Sequence, residues 1–267
     1  MKVLPLVAAA LSLSACAFAS TAALAQDAQP STATHGPVKN IVLVHGAWVG
    51  GAGWKPVYEI LTKDGYHVSI VQEPLTSLED DVAATNRVLD LQTGPTILVG
   101  HSYGGSIITE AGENPNVVGL VYVAAHAPAV GENESALGKG MPSVTSKQTG
   151  AIEKTADGYT YLNPDDYYKD FAADLPAKQA QFEAHEQMLT AAKVFTAPIT
   201  AAAWTTKPSW GIVAADDKII NPDLERWYYA RAHSHTTVLQ GASHSVYESR
   251  PKDVAAVIEA AAKQAQG

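Results

Sequence analysis

Short apolar runs alternate with amphipathic segments along most of this chain. Six apolar runs bounded by turn-forming residues predict buried strands, at 40–45, 67–71, 96–101, 118–124, 209–214 and 236–239. Segments with helical spacing of apolar residues lie between or after them, at 54–64, 78–91, 103–113, 222–232 and 251–264. Strands that alternate with helices predict a mainly parallel sheet with helices on both faces.

One long interval, 128–207, interrupts this alternation. It contains no clear strand. Helical spacing is present near 165–174, 177–192 and 198–204. The interval is therefore expected to be mainly helical and to lie between the fourth and fifth strands of the sheet.

The third predicted strand leads into the most informative motif of the chain, Gly100-His101-Ser102-Tyr103-Gly104. A strand, a G-x-S-x-G sequence and a helix together are typical of a nucleophile elbow, a strained turn that lifts the serine hydroxyl out of the sheet. Cβ atoms at the two glycines would clash with the neighbouring strand and helix. The pentapeptide alone arises by chance in about one chain in ten, so partner residues must support it.

Candidate partners follow in the order that this arrangement requires, an acid and then a histidine. Asp216 and Asp217 both follow the fifth predicted strand. Asp217 is favoured because it lies deeper in the loop, and Asp216 is the alternative. His244 lies in a loop of small residues between the last strand and the last helix, where an imidazole would reach Ser102.

The loop after the first predicted strand, His45-Gly46-Ala47-Trp48, is the candidate oxyanion hole. The backbone amides of Ala47 and Tyr103 are expected to bind the carbonyl oxygen as it becomes negative, and each donor is worth a few kcal/mol. His45 is expected to hold this loop by hydrogen bonds. His45, Trp48 and His126 are also candidate pocket-lining residues.

No metal site is predicted. His233 and His235 form an H-x-H pair at a helix end, but no third ligand is evident. A serine nucleophile with a histidine base requires no metal and no organic cofactor, so none is expected.

These motifs together resemble the α/β-hydrolase superfamily, and within it the small serine esterases related to plant methyl esterases and hydroxynitrile lyases. The matching segments are 44–48 with Trp54 downstream, 100–105, 215–222 and 241–244, and the resemblance spans about 39–264. It implies an α/β-hydrolase fold in which about 128–207 forms a cap that roofs the serine and sets specificity. The alternative is that this segment is a helical insertion that covers the sheet and does not set specificity.

Departures from the family narrow the expected chemistry. Hydroxynitrile lyases of this branch carry threonine where Gly46 stands and lysine where Ser245 stands, so cyanohydrin cleavage is not expected. Haloalkane dehalogenases use an aspartate nucleophile where Ser102 stands, which argues against that activity. Perhydrolases usually carry methionine where Tyr103 stands, which argues against that activity as well. The sequence therefore predicts a hydrolase of small to medium carboxylic esters that acts through an acyl-enzyme. The alternatives are a lyase or transacylase on the same scaffold and a small-molecule binding protein with an idle triad.

Composition limits the partners. The chain has 267 residues, of which 46% are hydrophobic, enough for one domain with a large core. The formal net charge is −9 and there is no basic block, so nucleic-acid binding is not expected. An anionic substrate would gain nothing from long-range attraction to such a chain, which favours a neutral ester.

The amino terminus has the pattern of a signal peptide. Lys2 precedes an apolar stretch at 3–19, and Ala-Leu-Ala at 23–25 is a cleavage site. We therefore expect a signal peptide at 1–25, a linker at 26–38 and one hydrolase domain at 39–267, with export to the periplasm or medium and no membrane span in the mature protein. The alternative is a lipobox at 13–16 with a lipid anchor on Cys16.

Overall fold

The computed structural model describes residues 1–3 and 37–265. Residues 4–36, which include most of the predicted signal peptide with Cys16 and nearly all of the predicted linker, lie outside the described residues. Within the part of the chain that is described, no helix is long and apolar enough to cross a membrane.

The first half of the described chain alternates strands with helices, as predicted. Its elements are β1 (Asn40–Val44), α1 (Lys55–Lys63), β2 (His67–Ile70), α2 (Leu78–Leu89), β3 (Thr96–His101), α3 (Gly104–Ala111) and β4 (Val117–Val123). Helix α2 begins after Ser77, whose hydroxyl accepts a hydrogen bond of 3.1 Å from the Asp80 amide. This side-chain cap satisfies one of the backbone donors that a helix start leaves free.

The interval after β4 contains helices and a second, small sheet. Its elements are α4 (Glu134–Gly140), β5 (Ile152–Lys154), β6 (Tyr159–Leu162), α5 (Pro164–Asp170), α6 (Ala177–Glu186) and β7 (Thr190–Ala191). Strands β5, β6 and β7 form an antiparallel sheet in that order. We call 128–207 the insert.

The expectation of an insert without strands was wrong. On β6, Thr160 and Leu162 are buried while Tyr159 and Tyr161 are half-buried. This is the alternation of a strand with one buried face, but four residues are too few for the period to be recognised. The helix predicted at 177–192 ends at Glu186, and the one predicted at 198–204 is a single turn at Ala203–Thr205.

The remaining elements complete the main sheet. They are β8 (Ser209–Ala214), α7 (Pro222–Arg231), β9 (His235–Leu239), α8 (Val246–Ser249) and α9 (Pro251–Gln264). The six predicted strands form one sheet in the order β2-β1-β3-β4-β8-β9, and every pairing is parallel. The predicted α/β-hydrolase fold class is confirmed.

The central strands are apolar throughout because both faces of the sheet are covered. On β1, Ile41 and Leu43 pack into the cluster that includes α1 and α9, whereas Val42 and Val44 pack into the cluster that includes α2, α3 and α7. Successive side chains of a strand point to opposite faces, so a run without polar residues places apolar groups on each side.

Parallel pairing brings the carboxyl ends of all six strands to one edge of the sheet. The loops that follow β1, β3, β4, β8 and β9 carry the candidate site residues Ala47, Ser102, His126, Asp217 and His244. In open α/β sheets this edge is where ligands bind.

Candidate active site

Ser102 occupies the sharp turn between β3 and α3. Its φ angle is +55°, in the left-handed region that residues with a Cβ rarely adopt. The turn is tight because a Cβ at Gly100 would lie 2.5 Å from the Gly104 carbonyl oxygen, and one at Gly104 would lie 2.6 Å from the His45 carbonyl oxygen. Glycine at both positions therefore permits the close approach of strand, helix and loop that the sequence predicted.

The structure brings Ser102, His244 and Asp217 into one chain of hydrogen bonds. His244 Nε2 lies 2.8 Å from Ser102 Oγ, and His244 Nδ1 lies 2.6 Å from Asp217 Oδ2. The three residues are buried, with Ser102 5% exposed. A neutral imidazole in this position donates from Nδ1 to the carboxylate and accepts from the serine hydroxyl, which is the arrangement that general-base activation of a serine requires.

Of the two candidate acids, Asp217 is the one in contact with His244. Its second oxygen, Oδ1, accepts hydrogen bonds from the amides of Ile219 at 2.7 Å and Ile220 at 3.0 Å. These two donors fix the carboxylate in the loop after β8. Asp216 is exposed, and its backbone amide bonds to the Ala242 carbonyl oxygen.

The amides of Ala47 and Tyr103 lie on the two loops that meet at Ser102. A Cβ built on Gly46 would lie only 2.6 Å from Ser102 Cβ, so the loop after β1 passes directly beside the serine. Within residues 37–265 neither amide donates a hydrogen bond to a protein acceptor. Two free backbone donors beside a serine hydroxyl are the features of an oxyanion hole.

The three candidate pocket residues have different positions. Trp48 and His126 line the cavity above Ser102, whereas His45 does not, and for His45 the prediction was wrong. The His45 side chain is fully buried behind the loop, where Nδ1 lies 2.9 Å from the Gly46 carbonyl oxygen and Nε2 contacts Glu73. Burial would lower the pKa of His45, but the adjacent Glu73 carboxylate raises it overall. His45 therefore holds the loop, as expected.

Trp48 joins the loop after β1 to the insert. Its backbone amide donates to the Thr190 hydroxyl and its indole Nε1 donates to the Thr160 hydroxyl, each at 3.0 Å. Its φ angle is +65°. These bonds from two strands of the small sheet hold Trp48 in a strained conformation and keep the adjacent Ala47 beside Ser102.

A cavity of about 770 Å³ opens above Ser102, within the size range of small-molecule sites. We call it the main cavity. Ala47, Trp48 and Ser102 line its base, and the insert provides most of its wall, including Met141 and Phe195.

A buried polar cluster borders the main cavity next to the candidate triad. His126 Nδ1 lies 3.2 Å from the Tyr228 hydroxyl, and His126 Nε2 lies 3.4 Å from Glu134 Oε2. The Ser106 hydroxyl donates to Glu134 Oε1 at 2.6 Å. Burial raises the pKa of Glu134 to about 8, and burial followed by the charge of His244 lowers the pKa of His126 to about 3. Near pH 7 this cluster is therefore polar and uncharged.

A second buried carboxyl, Glu225 on α7, lies behind Asp217. Its Oε2 accepts a hydrogen bond of 3.1 Å from the Ala214 amide at the end of β8. Burial, and then the neighbouring Asp217 carboxylate, raise the pKa of Glu225 well above its usual value. A protonated Glu225 leaves Asp217 as the single negative charge of this pair, since two adjacent buried carboxylates repel each other.

Sequence reasoning missed several groups that support the site. Phe171 packs edge-on against the His244 ring at 4.7 Å between centroids, and its carbonyl oxygen accepts from the Ser245 amide. Glu134 and Glu225 were also missed. Phe171 and Glu134 belong to the insert, whose fold could not be predicted, and Glu225 is an unremarkable acidic residue in the first turns of a helix. No motif marks any of the three.

Residues 41–257 match the model of the alpha/beta hydrolase family. Because this match covers most of the chain, the protein belongs to the alpha/beta hydrolase family, and the family resemblance drawn from its motifs is confirmed.

A curated relative is the carbendazim hydrolyzing esterase of Nocardioides sp. (strain SG-4G). It is 34% identical over 125 residues, which cover 41% of this chain and 51% of the relative. The chain thus matches about half the length of that enzyme. The name of this relative agrees with the predicted class of carboxylic ester hydrolases.

Solved structures share the fold over nearly their whole length. A pyrethroid hydrolase from Sphingobium faniae JZ-2 superposes with a TM-score of 0.69 at 23% identity, covering 85% of this chain and 98% of that one. A methylesterase from Arabidopsis gives 0.70 at 18% identity, covering 84% and 98%. An extracellular alpha/beta-hydrolase from a Paenibacillus species gives 0.66 at 18% identity, covering 84% and 99%. At these sequence identities, the structural similarity shows that the proteins share a fold.

Proposed function

We propose that this protein is a serine hydrolase that cleaves small to medium carboxylic esters through an acyl-enzyme. The observation that carries the proposal is the continuous hydrogen-bonded path from Ser102 Oγ through His244 to Asp217 at the base of the main cavity. In the first step Ser102 Oγ attacks the ester carbonyl carbon while His244 Nε2 takes the hydroxyl proton. Asp217 holds the imidazole in the required tautomer and stabilises the imidazolium.

The reaction is completed in two further steps. The acyl–oxygen bond breaks, and the alcohol leaves with the proton that His244 returns. Water then gives a proton to His244 and attacks the acyl-enzyme, which releases the acid and restores Ser102. In both tetrahedral intermediates the amides of Ala47 and Tyr103 bind the oxyanion.

Two positions of the site, Gly46 and Ser245, separate this proposal from lyase chemistry on the same scaffold. Gly46 has no side chain that could hold a cyanohydrin hydroxyl, and a Cβ added at this position would collide with Ser102. Ser245 is fully buried and offers no cation to stabilise departing cyanide. Both features support hydrolysis.

We propose that the insert acts as the cap of the site and sets its specificity. Its contribution to the wall of the main cavity and the two bonds from Thr160 and Thr190 to Trp48 support this role. The expectation of a neutral substrate rests on the net charge of the whole chain. The reacting ester group itself is neutral, whereas the rest of the substrate has to match the charges on the cavity wall.

Export from the cytoplasm remains part of the proposal. It rests on the sequence pattern at 1–25, with Cys16 as the alternative point of lipid attachment.

Labelling with a fluorophosphonate tests the proposed function, because only an activated serine reacts readily with it. Peptide mass spectrometry should find the label on Ser102, and Ser102→Ala should remove both the label and the turnover of p-nitrophenyl esters. Removing such a serine costs on the order of a million-fold in turnover. An unreactive Ser102 in a folded protein would instead indicate a binding protein with an idle triad.

A further inference from the structure

The charged side chains on the wall of the main cavity are mainly basic, whereas those of the protein as a whole are mainly acidic. The wall carries three lysines, Lys139, Lys154 and Lys193, and one acidic residue, Glu134. Over the whole chain acidic residues outnumber basic ones, 27 to 18. The wall of the cavity therefore carries more basic than acidic residues, although the net charge of the protein is negative.

The three lysines come from three separate elements of the insert. Lys139 lies in α4, Lys154 in β5 and Lys193 in the short 3-10 helix Ala192–Thr196 that follows β7. All three are exposed, whereas Ser102 is 5% exposed, so they form the outer part of the wall above the serine. We call these residues the lysine trio.

No carboxylate neutralises the lysine trio in the described part of the chain. None of the three ammonium groups forms an ion pair there, in contrast to Lys169, which contacts Asp166 at 2.7 Å. Lys193 acts on Asp80 only at a distance: the hydroxyls of Ser77 and Thr76 lower the pKa of Asp80, and Lys193 adds a smaller effect.

The one acidic residue of the wall does not offset these charges. Glu134 is buried, and its pKa of about 8 leaves it mainly protonated near pH 7. His126 beside it is uncharged. The cavity therefore presents three positive charges at its opening and an uncharged polar surface further in. Asp217 lies at the base behind His244.

Local charges outweigh the net charge of the chain inside this cavity. The Debye length is about 8 Å at physiological ionic strength, so acidic groups elsewhere on the surface are largely screened from a bound substrate. A single pair of opposite charges about 4 Å apart in water changes an equilibrium roughly fivefold. Three lysines that act together on one anionic group would therefore change its binding equilibrium by more than about tenfold.

We propose that the preferred substrates are carboxylic esters that carry a second, anionic group, such as a free carboxylate, at the end remote from the ester. The lysine trio holds this anion at the opening while the ester lies against Ser102. Half-esters of dicarboxylic acids fit this description. The inference rests on the proposed ester hydrolysis and replaces the expectation of a neutral substrate.

Two esters of equal chain length test the proposal. Monomethyl adipate carries a carboxylate and methyl hexanoate does not, and release of methanol measures turnover of both. The intact enzyme should show a kcat/KM at least about tenfold higher for monomethyl adipate, mainly through KM, because the anion is held equally in the ground and transition states. Added KCl should reduce this preference and leave methyl hexanoate unaffected.

Lysine-to-glutamine variants test whether the lysine trio causes the preference for monomethyl adipate. In the triple variant Lys139→Gln, Lys154→Gln, Lys193→Gln the preference should fall to about twofold or less, through a higher KM for monomethyl adipate. Lys178→Gln, at an exposed lysine of the same insert outside the main cavity, is the matched control and should keep the full preference. Circular dichroism checks that each variant is folded.

A binding measurement keeps the two proposals distinguishable. Adipate dianion should slow fluorophosphonate labelling of Ser102 in wild type but not in the triple variant, and uncharged adipamide should have no such effect. A reactive Ser102 with equal kcat/KM for the two esters, or with no protection by adipate, would overturn the anionic substrate class and leave the serine hydrolase standing. An unreactive Ser102 would overturn the proposed function itself.

Discussion

The Tyr103 hydroxyl donates a hydrogen bond of 2.8 Å to Asp81 Oδ2 on α2. Asp81 Oδ1 in turn accepts from the Leu75 amide, and the Leu75 carbonyl oxygen accepts from the Ala191 amide on β7. The residue that follows the proposed nucleophile is thereby connected to the insert through buried polar contacts. This connection positions the Tyr103 amide, one of the two proposed oxyanion donors.

Tyr103→Phe tests the structural value of this contact. The variant leaves a buried carboxylate oxygen without its donor, so the free energy of unfolding in urea should fall by about 1–3 kcal/mol. The backbone amide remains, and kcat should stay within about tenfold of wild type. Tyr58→Phe, at an exposed tyrosine on α1, is the control and should leave stability unchanged. A Tyr103→Phe protein as stable as wild type would show that the hydrogen bond contributes nothing.

The choice between two adjacent acids is tested by a matched pair of variants. Asp217→Asn should lower kcat about 10⁴-fold, because His244 then loses the partner that holds its tautomer. Asp216→Asn, at the exposed neighbour, should change kcat less than about threefold. Equal losses in the two variants would contradict the assignment of Asp217 as the residue that orients the imidazole.

The sequence predicted those parts of the fold and site that depend on local pattern. The strands of the main sheet are apolar without interruption because both faces are covered, and such runs are easy to recognise. The contact of Ser102 and Asp217 with His244 could be predicted because the ends of parallel strands converge on one edge, where residues far apart in the chain come together.

The parts that the sequence did not predict depend on tertiary placement. Strands β5, β6 and β7 are too short to show a period, and they form only because they pair with one another. The burial that changes the pKa of Glu134 arises only in the folded protein, where Glu134 lies beside Ser106 and His126. The lysine trio is likewise spread over 139–193, and only the folded insert brings its members to one cavity. The net charge is a sum over the whole chain. It favoured a neutral substrate, whereas the lysine trio favours an anionic one.

The protonated state of Glu134 predicts a pH-dependent stability. Burial raises its folded pKa from 4.5 to about 8, so between these values the folded protein holds a proton that the unfolded chain has lost. The contribution of this group to stability is therefore present below pH 4.5 and is lost as pH rises towards 8. Glu134→Gln does not titrate. Its free energy of unfolding, relative to wild type, should rise between pH 5 and 8 by up to ~1.4 kcal/mol per pH unit.

Equilibrium unfolding in urea across pH 5 to 8 makes this comparison. Glu79→Gln, at an exposed position on α2, controls for the loss of a surface carboxylate. Stability curves that run parallel for wild type and Glu134→Gln would mean that Glu134 is ionised in the folded protein.

Processing of the amino terminus is tested by mass spectrometry of protein from the native host. Cleavage after Ala25 would leave Gln26 as the first residue, which is the expected result. A lipid-modified peptide beginning at Cys16 would establish the lipoprotein alternative. An intact Met1 would contradict both.

Gly46→Ala tests the close packing of the oxyanion loop against the elbow. The added Cβ would lie 2.6 Å from Ser102 Cβ and 3.0 Å from the His101 carbonyl oxygen, so the loop that carries the Ala47 amide must move away from the serine. Loss of one oxyanion donor typically lowers kcat 10²- to 10³-fold, and a loss of about this size is expected here. Gly138→Ala is the matched control, because a Cβ at this other glycine beside the main cavity meets nothing within 4 Å. If Gly46→Ala hydrolysed esters with the kcat of wild type, the Ala47 amide would not be an oxyanion donor.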